Sequence, residues 1–106
     1  ESTPLKYTVA DRSQIPEEAA KLIEEKKEKE FQMVYQKGED LYLIKGYGRQ
    51  MSGGYSIQVT DLSASVNAVF FETKLIGPTE EVQGGEPSYP YIVVKTEYRD
   101  VPVQFR

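Results

Sequence analysis

The chain has 106 residues, of which 39% are hydrophobic and 28% are charged, and its net charge is −4. These values are typical of one globular domain over residues 1–106, and the acidic balance argues against a nucleic-acid partner, which needs a clustered basic face. The chain contains neither cysteine nor histidine, which excludes disulfides, structural zinc sites, and catalysis by Ser-His-Asp or Cys-His groups. No apolar run approaches the roughly 18 residues of a membrane helix.

The N-terminal part predicts one short strand and one helix. Apolar and polar residues alternate over Leu5–Val9, as in a half-buried strand. Pro16 suits the first position of a helix. The two glutamates that follow it would interact favourably with the positive, N-terminal end of the helix dipole. An apolar stripe at helical spacing consists of Ile15, Ala19, Leu22 and Ile23. We interpret the charged run over residues 24–30 as a solvated helix end.

The rest of the chain has the period of two that is typical of strands. The predicted strands are Phe31–Lys37, Leu41–Tyr47, Tyr55–Thr60, Val66–Ile76, Tyr91–Thr96 and Val101–Phe105. Successive strands in this series are connected by short turns at residues 38–40 and 61–65 and by a loop at residues 77–89. Pro102 should mark an edge strand, because proline cannot donate to a strand ladder.

These elements predict an α+β, β-rich domain. It should have about seven mostly antiparallel strands, arranged as a sheet or a sandwich, and one amphipathic helix near the N-terminus that covers a sheet face.

A glycine-rich stretch, Gly46–Thr60, connects two predicted strands. It lacks the third glycine of a dinucleotide fingerprint and the lysine of a phosphate loop, and no helix follows it. We expect its glycines to bend the sheet. The bend would present a protein-binding patch made of Tyr47, Arg49, Ser52, Gly53, Gly54 and Tyr55, because tyrosine and arginine are enriched at protein interfaces. Tyr55 could instead be a core residue.

Carboxylate chemistry has little support. Glu39-Asp40 and Glu80-Glu81 are adjacent acidic pairs, but both lie in predicted turns, and no Asp-x-Asp-x-Asp-Gly calcium loop is present. We therefore expect no catalytic residue, no metal and no cofactor.

The segment Gly48-Arg-Gln-Met-Ser-Gly-Gly-Tyr-Ser-Ile57 resembles the signature of the C-terminal domain of PrcB-type protease complex subunits, whose pattern is Gly-x-[Arg/Lys]-x-Thr-Gly-Gly-Tyr-x-Ile. Ser52 stands where many members carry threonine, and Arg49 lies one residue before the pattern's basic position. A second block, Pro87-Ser-Tyr-Pro-Tyr-Ile-Val-Val94, is similar to the family's proline followed by an apolar strand. The resemblance spans about Phe31–Phe105.

The resemblance implies an exported or cell-surface bacterial protein that has no catalytic activity of its own. Its founding member assembles with a surface serine protease, so the expected partner is another protein, for example a secreted protease. The chain begins Glu1-Ser-Thr-Pro4, without methionine, and we expect that a leader segment has been removed. The alternatives are a protease inhibitor, a carbohydrate-binding β domain, and a purely structural domain.

Overall fold

Two four-stranded β-sheets pack face to face, and one α-helix covers the outer face of one of them. The structure, a computed structural model, describes residues 1–80 and 85–106. Its elements are β1 (Thr3–Pro4), β2 (Thr8–Val9), α1 (Glu17–Lys26), β3 (Glu30–Lys37), β4 (Asp40–Tyr47), β5 (Ser56–Ala64), β6 (Val69–Ile76), β7 (Tyr91–Glu97) and β8 (Val103–Phe105). The α+β, β-rich architecture and the N-terminal helix are therefore confirmed. The sandwich form of the fold is the one observed.

The helix-covered sheet has the strand order β2-β7-β4-β3, and the second sheet has the order β1-β5-β6-β8. Their neighbouring strands are antiparallel, except for β6 and β8, which are parallel. Strand β8 begins with Val103, the residue after Pro102, and lies at the edge of its sheet. The prediction of an edge strand over Val101–Phe105 is therefore confirmed.

The prediction of one strand over Leu5–Val9 is wrong. Strand β1 pairs with β5 in the second sheet, whereas β2 pairs with β7 in the helix-covered sheet. The chain crosses between the sheets at Leu5 and Lys6. Leu5 packs against the core between the sheets, and the carbonyl of Lys6 accepts a hydrogen bond of 2.8 Å from the Thr96 hydroxyl. Alternation alone could not reveal a crossing that depends on partners about 60 residues away for β1 and about 85 residues away for β2.

The core between the sheets is built from alternate residues of the long strands. Its buried members are Leu41, Leu43, Leu62, Ala64, Val69, Phe71, Ile92 and Val94. A second core lies under the helix and contains Ala10, Ala19, Ile23, Tyr42, Ile44 and Val93. Strand β4 contributes to both cores, because its side chains alternate between the two faces of the sheet.

Helix α1 begins at Glu17, directly after Pro16, whose carbonyl accepts a hydrogen bond from the Ala20 amide at 2.9 Å. Pro16 therefore caps the helix and does not occupy its first turn. The helix ends at Lys26, and only the first part of the charged run is helical. A turn follows, and β3 begins at Glu30. From there on, every second residue of the strand is apolar and packs against the core under the helix.

Within the predicted turn at residues 61–65, residues 61–64 continue β5, which ends at Ala64. The register with β6 shifts between Val59 and Asp61, which leaves Thr60 as the extra residue of a β-bulge. The bulge explains why the inward residues change from odd numbers, such as Val59, to even numbers, such as Leu62. A break in alternation can mark a bulge as well as a turn. The predicted strand over Val66–Ile76 accordingly begins later, at Val69.

Within the described residues, no helix is long and apolar enough to span a membrane.

Replacement of Phe71 by alanine should lower the free energy of unfolding by about 3–5 kcal/mol. Phe71 is 1% exposed and meets the Phe105 ring edge-on at a centroid distance of 5.8 Å, so the substitution leaves a cavity between the sheets. Urea unfolding followed by circular dichroism measures the change. Phe70→Ala is the matched control, because Phe70 is only half-buried, and its effect should be about 1 kcal/mol. Equal effects of the two substitutions would contradict the assigned core.

Candidate protein-binding surface

The glycine-rich stretch carries the chain from one sheet to the other. Strand β4 lies in the helix-covered sheet and β5 in the second sheet, and the two strands are not neighbours. The expectation that the glycines bend a single sheet is therefore wrong. Because β3 and β7 already flank β4 on both sides, the next strand cannot pair with β4, and the chain leaves this sheet after Tyr47. We call residues 48–55 the crossing loop.

Gly48 holds the start of the crossing loop against the turn that follows α1. Its φ is +74°, and a Cβ at this position would lie 2.9 Å from the Glu30 amide nitrogen. The next residue, Arg49, donates its backbone N–H to the Glu28 carbonyl at 3.2 Å. Only glycine combines this backbone conformation with such a close approach. The backbone of Arg49 is thereby fixed while its side chain is exposed.

The middle of the crossing loop pairs with the segment before β7. Gln50 and Ser88 exchange two backbone hydrogen bonds, of 2.8 and 3.0 Å. The Ser88 hydroxyl also donates to the Ser52 carbonyl at 2.6 Å. Ser52 itself is 8% exposed, and its hydroxyl donates to the Gly53 carbonyl at 3.2 Å. This pairing joins the two sequence blocks on which the family resemblance rests.

The end of the crossing loop packs on the residues that follow β6. Gly54 has a φ of +85°, and a Cβ on it would lie 3.0 Å from Cβ of Pro78. The Tyr55 ring lies beside Gly77 and is half-buried. Gly53, in contrast, is exposed and has open space around it.

Tyr47 is directed into the gap between the sheets. It is half-buried, and its hydroxyl forms a hydrogen bond of 2.5 Å with the hydroxyl of Thr73 on the opposite sheet. The Lys45 ammonium lies 5.2 Å from the centre of the Tyr47 ring and forms an ion pair of 2.7 Å with Glu30. These contacts connect β3, β4 and β6 directly below the crossing loop.

The six residues predicted for the patch therefore lie together but differ in exposure. Arg49, Gly53 and Gly54 are exposed, Tyr47 and Tyr55 are half-buried, and Ser52 is buried. Binding of a partner by these residues stays a prediction. Those that are buried or half-buried hold the loop in place, which leaves Arg49 as the long side chain of the set that reaches solvent.

Sequence reasoning missed three residues of this surface. Met51 is 77% exposed in the middle of the crossing loop, and an exposed large apolar residue between glycines was a signal in the sequence. Lys27 and Tyr89 lie beside the loop, with the Lys27 ammonium 5.3 Å from the centre of the Tyr89 ring. Their proximity depends on the Gln50–Ser88 pairing, which no local pattern indicates. We call Lys27, Arg49, Met51 and Tyr89 the loop surface.

The acidic pairs do not contribute to the loop surface. Glu39 is exposed in the β3–β4 turn, and the Asp40 carboxylate lies 3.6 Å from the Lys95 ammonium. Of the second pair, Glu80 is exposed, and Glu81 lies outside the described residues. The predicted loop at residues 77–89 is described except for residues 81–84. In residues 1–80 and 85–106, no three acidic side chains are grouped so that they could hold a metal ion.

A family model described as PrcB C-terminal matches residues 41–97, just over half of the chain. The match runs from β4 to β7 and so includes the crossing loop and its pairing segment. No curated protein and no solved structure matches the chain significantly.

Gly48→Ala should lower the free energy of unfolding by about 1–3 kcal/mol, because alanine is strained at positive φ and its Cβ would press on the Glu30 backbone. Thermal and urea unfolding measure the effect. Gly53→Ala is the matched control within the same loop. Its φ is not positive and nothing lies near its Cβ position, so the change should stay within about 0.5 kcal/mol. A neutral Gly48→Ala would contradict the close approach.

Proposed function

Because the chain belongs to the PrcB C-terminal family, we propose that it is a non-catalytic protein-binding domain that acts as an accessory or stabilising subunit of a secreted or cell-surface protease. The family description supports a role in a protease complex. The loop surface supports a role in binding another protein, and it is the candidate contact site.

The observation that carries the proposal is a braced loop that presents long side chains to solvent. The crossing loop is fixed at three points, near Glu28, Ser88 and Pro78. Between these points the side chains of Arg49 and Met51 are exposed. A loop that is already held in one conformation loses little entropy on binding, so more of its contact energy contributes to affinity.

The side chains of the loop surface suit a protein partner. Arg49 can bind a carboxylate through two parallel hydrogen bonds, and the flexible Met51 side chain adapts to an apolar pocket. Arginine, methionine and tyrosine are all enriched in protein interfaces. The absence of histidine and cysteine from the sequence supports a non-catalytic role.

Binding can be tested with purified extracellular proteases from the source organism, inactivated at their catalytic residue so that they do not digest the chain. We expect one of them to bind the immobilised chain, and Arg49→Ala or Met51→Ala to weaken binding at least tenfold, which is about 1.4 kcal/mol. Biolayer interferometry measures the dissociation constants.

Arg99→Ala is the matched control. Arg99 is also exposed, but it follows the far end of β7, away from the loop surface, so its removal should leave the affinity unchanged. If Arg49→Ala and Arg99→Ala behave alike, the assignment of the loop surface is wrong. If the active form of the bound protease loses its activity in the complex, the inhibitor alternative replaces the stabilising role.

The proposed location is outside the cytoplasm. The full-length gene product, detected by an antibody against this domain, should be degraded when a protease is added to intact cells, or should be recovered from the medium. A cytosolic protein serves as the control and should survive the treatment. Recovery of the domain from the protected cytosolic fraction alone would contradict the proposed location.

A further inference from the structure

Strand β3 is a long, regular edge of the helix-covered sheet. It has eight residues, and its register with β4 is continuous from Glu30↔Tyr47 to Lys37↔Asp40. The other edge strands in the described part of the chain, β1, β2 and β8, have two or three residues. Proline lies in β1 or just before β8, which blunts those edges. Strand β3 has neither a proline nor a bulge.

The hydrogen bonds of the sheet show which backbone groups of β3 are free. Tyr47 and Glu39 form backbone hydrogen bonds with the segments that flank β7. The backbone N–H and C=O groups of odd-numbered residues in β4 therefore point toward β7, and those of even-numbered residues point toward β3. In the β3–β4 register, even numbers in β4 pair with odd numbers in β3. The N–H and C=O groups of Gln32, Val34 and Gln36 consequently point away from the sheet.

The side chains of these three residues lie on the same face of the sheet as Leu41 and Leu43, which face the second sheet, but at this edge the face is exposed. Gln32 and Gln36 are exposed, and Val34 is 42% exposed. On the opposite face of the strand, Phe31, Met33 and Tyr35 are half-buried against the core under the helix. Strand β3 thus combines free backbone groups with an exposed apolar side chain at its centre.

We propose that β3 pairs in an antiparallel manner with β3 of a second copy of this chain and joins the two helix-covered sheets into one. The two-fold axis of such a pair is perpendicular to the sheet. The helix-covered faces of both copies therefore lie on the same side of the joined sheet. Residues of like parity therefore lie opposite one another. The axis passes through Val34, so that the two Val34 side chains meet and Gln32 lies opposite Gln36. The pairing forms about six backbone hydrogen bonds between the copies.

The charges at and beside the ends of β3 favour this register over the neighbouring register that has Met33 on the axis. With Val34 on the axis, Lys29 of one copy lies beside Glu39 of the other. With Met33 on the axis, Lys29 would lie opposite Lys37, and like charges in that position are unfavourable. The assembly closes at two copies, because the contact is two-fold symmetric and uses the same edge strand of each copy. The inference does not depend on the proposed protease partner.

Sedimentation equilibrium of the purified chain tests the pairing. The wild type should shift from monomer to dimer as its concentration rises into the low millimolar range. Val34→Lys should weaken the dimer at least tenfold, because two lysines would meet on the axis. Val66→Lys is the matched control, since Val66 is 90% exposed in the turn between β5 and β6, and it should dimerise as the wild type does.

Cysteine cross-linking tests the register in a chain that has no cysteine of its own. The Cα atoms of a directly opposed, hydrogen-bonded pair lie about 5.5 Å apart, within the range of a disulfide. Val34→Cys should therefore give a covalent dimer on mild oxidation much faster than Val66→Cys does. A wild type that stays monomeric, a Val34→Lys variant that dimerises normally, or equal cross-linking of the two cysteine variants would each overturn the proposal.

Discussion

The burial of β4 on both faces is the constraint on which the rest of the fold depends. Leu41 and Leu43 face the second sheet, whereas Tyr42 and Ile44 face the helix, and all four are at most 6% exposed. A strand in this position needs a layer on each side and a neighbouring strand along each edge. The helix, the second sheet, β3 and β7 satisfy these requirements. The strand that follows β4 in the chain therefore cannot pair with it, and it lies in the second sheet.

The geometry of the loop surface follows from that exit. The crossing loop has to pass close to the turn after α1, which requires Gly48, and has to reach the level of the second sheet near Pro78. Its pairing with Ser88 satisfies backbone groups that would otherwise lack partners in a connection between two sheets. The exposed positions, Arg49 and Met51, lie between these fixed points. The same residues that permit the sheet crossing therefore also determine which side chains of the loop are exposed.

Much of this fold could be predicted from local patterns. Alternation correctly placed Phe31, Met33 and Tyr35 on one face of β3, and the stripe in α1 correctly included Ala19 and Ile23. These signals are strong because each element has one face against a core.

The errors have a common physical origin in contacts between distant parts of the chain. Leu5–Val9 alternates like one strand but is divided between two sheets, and the bulge at Thr60 interrupts an alternation that the sheet itself continues. The position of Tyr47 depends on Thr73, and the position of the crossing loop depends on Ser88. For the candidate site, the sequence therefore predicted residues that lie together in the structure, but not which of their side chains are exposed.

The two proposed contact regions are compatible because no residue of the loop surface lies in β3. The loop surface adjoins the start of the strand, where Gly48 touches Glu30, while the pairing uses its length. In an antiparallel pair, the start of β3 in one copy lies beside the end of β3 in the other. Glu30 of one copy lies opposite Gly38 of the other, so about eight residue steps of about 3.4 Å would separate the two starts by about 27 Å. Each copy could then hold a partner at its own end of the joined edge without competing with the other.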